Sequence, residues 1–451
     1  MATYLTAFYC TLSALAAWSL LRLRRKRFLP LPSGPPGLPL IGNVYDIPHD
    51  YAWHTYAEWA EKYGDIIYLN VIGNETILLN SAKAAIEILD KRSSNYSDRP
   101  RMVMADELMG WEWDFAHMPY SDFWRRHRRA FHQFFQPRNL ASLYPVQMQT
   151  TLTLLEQLSK TPDQFVDHIR QYVGSAVLRA AYGYTVKSEN DFYIGLAREA
   201  VQPLLLVVHA GAYLVEFLPF LKYIPAWPPG AGFKRMAEDS VKSSHSLRDI
   251  PFNNVKQEIA NGTAESSFVS SNLEKLKNRG ALDVTEEEVI KNCAGLVYLA
   301  GSDTTASLLL TWMLAMARYP EVQAHAQSEV DAVTRGLRLP DFDDRNSTPY
   351  IDAMITETMR WHPVTPMGAT VTANTCICPG RYLASNSAWI AIASILSLYT
   401  ISKFVKEDGT VVEPPIEFTD GLVSHPKPYR IKLVPRGDVN KVIEAAKLEN
   451  N

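Results

Sequence analysis

Four short groups of residues carry side chains able to do chemistry. The first is Ala300-Gly301-Ser302-Asp303-Thr304-Thr305, where one carboxyl and its neighbouring hydroxyls interrupt a long apolar stretch. An acid beside an alcohol can bind ordered water and pass protons to a ligand held against it. The second is Glu357 and Arg360, three apart and able to pair on one helix face. Such a surface pair is worth about 0.2–0.5 kcal/mol. The third is Trp124-Arg125-Arg126-His127-Arg128-Arg129, which suits a solvated basic face or a phosphate-binding patch. The fourth is Cys376-Ile377-Cys378, whose thiols suggest a soft-metal site or a redox pair.

The first group needs a helix to hold it. Thr285 and Glu288 form a capping-box pattern and Pro320 marks an end, so the spacing predicts one helix over 285–319, roughly 50 Å long. From Cys293 to Ala317 there is no lysine, arginine or glutamate, and Asp303 is the one carboxylate. Three readings stay open. A membrane span at 294–316 has the length, but a central unpaired aspartate costs roughly 2.5–3.5 kcal/mol on insertion scales. A buried helix could satisfy Asp303 structurally. In a functional helix, Gly301 admits a close neighbour, the hydroxyls open the helical ladder, and Asp303 and Thr304 relay protons.

Around that helix the pattern is mainly α with small β-sheets. Two β-rich runs over 64–80 flank Gly73-Asn74, a hairpin signal. Apolar periodicity predicts helices at 147–160 and 164–183. Residues 200–233 are unusually apolar, fitting a channel element that touches a membrane or a buried core helix, and TVVEPPIEF and PYRIKLVP near the C-terminus read as extended. At the N-terminus, uncharged residues 2–21 are long enough to span a bilayer. Arg22, Arg24, Arg25, Lys26 and Arg27 follow, placing the body on the cytosolic side. Residues 22–45 then form a basic and proline-rich linker whose prolines stiffen it into a strut, and 46–451 form the body.

The chain has 451 residues, 47% hydrophobic and 21% charged, as expected of a folded protein. A net charge of −3 gives no reason to expect nucleic acid as a partner. Cysteines at 10, 293, 376 and 378 are too few for a disulfide framework and suit a reducing compartment.

AGSDTT resembles the oxygen-activation motif in the long central helix of cytochrome P-450 enzymes. Glu357-Thr358-Met359-Arg360 followed by Trp361-His362-Pro363 resembles their Glu-x-x-Arg segment, Trp124 and Arg128 their Trp-x-x-x-Arg helix, and Cys378-Pro379-Gly380-Arg381 their haem-ligand loop. With the anchor and strut, the similarity covers nearly the whole chain. PGRYLASNSAWIAIASILSLYTISK gives it a fungal, microsomal flavour. The resemblance implies a cytochrome P-450-like fold and a haem monooxygenase. Such an enzyme oxidises a lipophilic small molecule with O2 and electrons from an NADPH-dependent reductase. It further implies Cys378 as the iron ligand beside Gly380, and Trp124 and Arg128 on a haem propionate. Ala300 and Gly301 lie against the haem, Asp303 and Thr304 relay protons, and Glu357 and Arg360 form a buried brace. Secondary metabolism, a monomeric state and a single-pass endoplasmic reticulum location go with it.

The likeness fails just ahead of the cysteine. Where the family has Phe, Gly and Arg, this sequence has Val371, Asn374 and Cys376. Glu357 and Cys378 stand only 21 positions apart. There the family has several dozen residues, including a meander that completes the Glu–Arg triad. The resemblance therefore implies an in-frame deletion between about 371 and 376, from a skipped exon or a faulty gene model. It leaves two readings: a monooxygenase, or a haem-deficient product that at most binds apolar ligands.

Overall fold

The computed structural model describes residues 30–92, 95–96, 98–187, 191–207, 213–280, 284–367 and 378–450. The anchor at 2–21, with Cys10, lies outside them, as do Val371, Asn374 and Cys376. The chain divides into two compact units, Met1–Ile86 and Glu87–Asn451.

In the first unit, helix α1 (Ala52–Tyr63) precedes an antiparallel hairpin of β1 (Ile66–Val71) and β2 (Asn74–Leu79), in register from Ile66↔Leu79 to Val71↔Asn74. The turn is Ile72-Gly73, one residue earlier than the sequence suggests, and both residues have positive φ. Asn70 explains the shift: its side-chain oxygen accepts the Gly73 N–H at 2.8 Å and closes the loop from the strand side. The proline-rich stretch is not a free strut. Tyr68 N–H donates to the Ser33 carbonyl at 3.0 Å, Gly42 bridges Val71, and the Asn43 side chain accepts from Asn70 N–H at 2.9 Å. A Cβ on Gly42 would stand 1.9 Å from the Asn70 carbonyl, so only glycine permits that approach.

The second unit is a helical body. It contains α2 (Asp122–Phe135), α3 (Tyr144–Lys160), α4 (Phe165–Tyr182), α5 (Phe192–Val207), α6 (Gly232–Asn261), α7 (Phe268–Asn278), α8 (Val284–Arg318), α9 (Pro320–Thr334), α10 (Pro349–Trp361) and α11 (Arg381–Leu398). Next come β3 (Tyr399–Val405), β4 (Val411–Val412) and β5 (Ile431–Pro435), an antiparallel sheet in the order β4-β3-β5, then α12 (Val439–Asn450). The expected helices at 147–160 and 164–183 are α3 and α4. The extended C-terminal runs are β4 and β5, whereas α12 had no counterpart in the sequence reading.

Helix α8 is the axis of this body. It packs against α2, α4, α6, α7 and β3, and its side chains are buried from Cys293 to Leu299 and again from Thr305 to Ala317. A helix apolar on every side needs cover all round, and here the chain itself supplies it. The membrane-span reading of 294–316 is thereby corrected: the length suffices, but protein surrounds the helix. The helix starts at Val284, and the Glu288 carboxylate pairs with Arg248 at 3.2 Å and Lys291 at 2.9 Å.

Residues 200–233 do not form one core helix. After α5 come a helical turn at Leu214–Phe217 and a 3-10 turn at Pro219–Tyr223, and Leu206, Leu214, Phe220, Tyr223 and Trp227 stand exposed.

Close packing on α8 gives a test. A Cβ on Gly295 would lie 2.8 Å from the Trp113 ring, which is itself pinned by its indole N–H to the Ser244 hydroxyl at 2.9 Å. Gly295→Ala should therefore destabilise the body by about 1–3 kcal/mol. A lowered melting temperature, partly recovered by adding Trp113→Phe, is the expected outcome.

Candidate active site on the central helix

Within the apolar stretch of α8, Cys293 to Ala317, cover breaks at one place. Ala300 is exposed and Gly301, Ser302, Asp303 and Thr304 are partly exposed, between two fully buried stretches of the same helix. The helix stays continuous there, so the expected local opening is not seen. The hydroxyls turn back onto the helix instead: Thr304 donates to the Ala300 carbonyl at 3.0 Å and Ser302 to the Leu299 carbonyl at 3.5 Å. Gly301 does admit a close neighbour, but it is Val177 of α4, whose Cγ2 lies 3.0 Å from where a Cβ would be.

Asp303 is not alone. Its Oδ1 lies 3.1 Å from Nε2 of His425, a partner the sequence reading missed. No spacing rule links two positions so far apart in the chain. The loop that carries His425 is fastened at several points. Phe418 bridges Pro426, and Ser424 N–H donates to the Val364 carbonyl at 2.9 Å. The Ser424 hydroxyl lies 2.8 Å from His362 Nε2, and the His362 ring stacks on Phe418 with centroids 3.4 Å apart. Finally, Ser307 of α8 donates its hydroxyl to the Ser424 carbonyl.

Helix α2 supplies a second wall. The Ser121 hydroxyl caps it by accepting from Trp124 N–H at 3.1 Å. The basic run is not uniformly solvated, because His127 at its centre is fully buried. Its Nδ1 lies 2.8 Å from the Phe123 carbonyl, which fixes that nitrogen as donor and leaves Nε2 to accept from the Asn292 amide of α8 at 3.2 Å. Burial lowers its pKa, so the ring docks α2 to α8 in neutral form. Cys293 donates its thiol to the His127 carbonyl at 3.4 Å, and burial pushes that thiol well above the usual range, as suits an inert packing residue. Arg126 reaches Glu286 at 3.4 Å, Arg128 is half-buried, and Arg125 and Arg129 are exposed. The Trp124 indole N–H is given to the Phe115 carbonyl at 3.1 Å.

Glu357 and Arg360 do pair, through two contacts of 2.6 and 2.5 Å. Their side chains are 58% and 72% exposed, so the expected buried brace is corrected to a surface pair. Cys378 is a free, exposed thiol. Its carbonyl accepts the Arg381 N–H at 3.3 Å, and Gly380 caps α11.

The model of the cytochrome P450 family matches residues 32–375. The chain belongs to the cytochrome P450 family. Its similar proteins include a cytochrome P450 monooxygenase of Armillaria gallica, 36% identical over 492 residues that cover 94% of this chain and 96% of the relative. Tryptamine 4-monooxygenase of Psilocybe cyanescens is 33% identical over 482 residues, 92% of this chain and 94% of that one. A cytochrome P450 monooxygenase of Coprinopsis cinerea is 39% identical over 345 residues, 76% of this chain and 66% of that one. The family match stops three residues before Cys378.

Haem held by a cysteine thiolate is the cofactor of this family. The donor chemistry of this P450 chain fits it: Cys378 offers a free thiol at the start of α11, and the open face at Ala300 is where α8 lacks cover. Two cavities, about 10 and 550 Å³, lie by Tyr182 and Tyr193 and by Phe134 and Lys275.

Two acids, Asp106 and Asp114, lie on the segment that leads to Trp113 and its neighbours. His117 Nδ1 lies 3.8 Å from Asp106 and 3.6 Å from Asp114. Burial first, and then the Asp114 and Glu216 charges, push the Asp106 carboxyl up to about 8. The unfolded chain loses this proton near its ordinary value of 3.8, whereas the folded chain keeps it to about 8. Folding stability from this group therefore falls as pH rises through that window and levels off above it. Asp106→Asn removes the loss. Its melting temperature should exceed that of the parent at pH 8 and match it near pH 4, and equal melting at both pH values would refute the shift.

Proposed function

We propose that this protein is the oxygenase of a membrane-anchored haem monooxygenase system, acting on a lipophilic small molecule with O2 and electrons from an NADPH-dependent reductase. The observation that carries this reading is the uncovered patch inside the apolar stretch of α8, Ala300 to Thr304, with an acid and an alcohol in it. Haem held through Cys378 supplies the oxidising chemistry when bound, and the thiolate favours O–O cleavage. The chain's own residues do the rest. Asp303 and Thr304 hold water at the open face and pass protons from it. Ala300 keeps that face low enough for a flat ring to approach, while Gly301 lets Val177 of α4 close in beside it. Arg128 and Trp124 would hold a propionate, which requires the indole to leave the Phe115 carbonyl. The exposed Arg125 and Arg129 offer an acidic reductase a positive surface, with an association rate that falls as salt rises.

The same proposal includes an internal deletion, and three observations support it. The Armillaria match runs over 492 positions, yet 94% of 451 residues is about 424, so about 70 positions of the relative face no residue here. The Coprinopsis match covers 76% of 451, about 343 residues, in 345 positions and leaves almost none. A shortfall outside that nearly gapless stretch is in keeping with a family match that ends at 375. Exposure of the Glu357–Arg360 pair fits the loss of the segment that would cover it.

The test is the CO-difference spectrum of the reduced protein, with and without the corresponding segment of a relative inserted after Thr370. We expect a weak or absent thiolate-type Soret band in the chain as it stands, a full band after insertion, and none in the inserted Cys378→Ala variant. A strong band before insertion would reject the deletion. No band after it would leave the haem-deficient, apolar-ligand reading.

For location, the proposal is a single-pass anchor in the endoplasmic reticulum membrane at residues 2–21 with a cytosolic, monomeric body. The exposed Leu214, Phe220, Tyr223 and Trp227 form an apolar surface suited to lie on the bilayer. With residues 1–29 removed, Phe220→Glu with Trp227→Glu should weaken binding to phospholipid vesicles at least about tenfold, since each aromatic buries about 1.5–3 kcal/mol of apolar surface. Unchanged co-sedimentation would refute this contact.

A further inference from the structure

We propose that His425 is the residue that positions Asp303, and that it does so for the proton relay; the inference rests on the monooxygenase reading and extends it to a residue outside the AGSDTT segment. Two consecutive loop residues dock on α8 one helical turn apart. Ser424 takes the Ser307 hydroxyl on its carbonyl, and His425 puts Nε2 at 3.1 Å from Asp303 Oδ1. Positions 303 and 307 share a helix face, so one short loop fixes both. The loop itself cannot swing freely: Thr419 and His425 exchange backbone contacts, with Thr419 N–H on the His425 carbonyl at 2.7 Å and His425 N–H on the Thr419 hydroxyl at 3.0 Å.

The contrast with His127 is informative. His127 engages both ring nitrogens, with Phe123 and Asn292. In His425 the one polar contact given to the ring is the Asp303 carboxylate, and its buried Nδ1 has no hydrogen-bond partner among the described residues. Burying an imidazole nitrogen without a partner is costly, so the site tolerates that cost to hold the ring against Asp303. The alcohol beside the acid is held as well, by the Ala300 carbonyl. An acid free to rotate would spend much of its time aimed at bulk water. Held on one oxygen by His425, Asp303 keeps its other oxygen for water, and such fixed orientation is what a relay group requires.

The experiment uses the full chain in detergent, with His425→Phe, His425→Gln, Asp303→Asn and the double variants. Phe keeps a ring without the donor, and Gln keeps a donor without the ring. The first readout needs no haem. We expect non-additivity of about threefold or more in the unfolding constant between His425→Phe and Asp303→Asn. The side-chain nitrogen resonance of His425 should also move in Asp303→Asn, and His425→Gln should restore most of the coupling. Additive effects with an unmoved resonance overturn the contact.

The second readout uses haem-loaded protein. His425→Phe should lower the share of NADPH electrons that reach product by about tenfold, with the remainder released as peroxide, and His425→Gln should recover it. Equal coupling of electrons to product in all variants overturns the positioning role even where the first readout succeeds. Absence of a thiolate band even after the relative's segment is inserted overturns the monooxygenase reading and the relay role together. In that case the first readout still decides whether His425 holds Asp303 as a purely structural pair.

Discussion

The burial of one apolar helix on every side is the constraint on which the rest of this structure depends. Helix α8 offers almost no polar surface along 25 residues, so α2, α4, α6, α7 and β3 must close around it. Their contacts are specific as well as apolar. Neutral His127 joins α2 to Asn292, Trp113 fills the space left by Gly295, and Val177 fills that left by Gly301. A gap in such a sheath is conspicuous because the rest of the apolar stretch, Cys293 to Ala317, is covered. The gap falls at Ala300–Thr304, where the one carboxylate of the apolar stretch also lies.

The sheath explains how a chain short of part of its family's architecture can still fold. The helices that enclose α8 lie mostly before residue 320, within the stretch that matches the family. After the junction, α11 and the β4-β3-β5 sheet are anchored by their own burial. Trp389 is fully buried, Gln323 of α9 bonds the Ile401 backbone in both directions, and the Tyr429 hydroxyl donates to the Leu310 carbonyl of α8. The proposed junction lies in sequence between two parts that each have a hold on the core. Glu357 and Arg360 lie in solvent, and screening leaves their pairing worth little.

Charged and polar groups in this protein divide by how their environment treats them. Cys293 and His127 are made inert by burial, and Asp106 is held protonated toward neutral pH by burial and neighbouring acids. Cys378, by contrast, is exposed and free. The same residue types therefore do structural work at one position and remain available for chemistry at another. Composition cannot separate the two.

Local signals in the sequence settled the parts that local physics governs. The lengths of α3, α4 and α8, the hairpin, and the motifs at 124–128, 300–305, 357–360 and 378–380 follow from periodicity, breakers and short spacings. Even the departures at Val371, Asn374 and Cys376 and the short path from Glu357 to Cys378 could be counted along the chain. Tertiary structure decided what depends on contacts between distant residues. It placed the turn at Ile72-Gly73, because Asn70 reaches across, and folded the proline stretch against the hairpin. It also buried His127, left Glu357 and Arg360 exposed, and gave Asp303 a partner in His425. Each of these outcomes is set by what the chain brings from elsewhere to cover or contact a residue, and sequence spacing carries no record of such long-range closure.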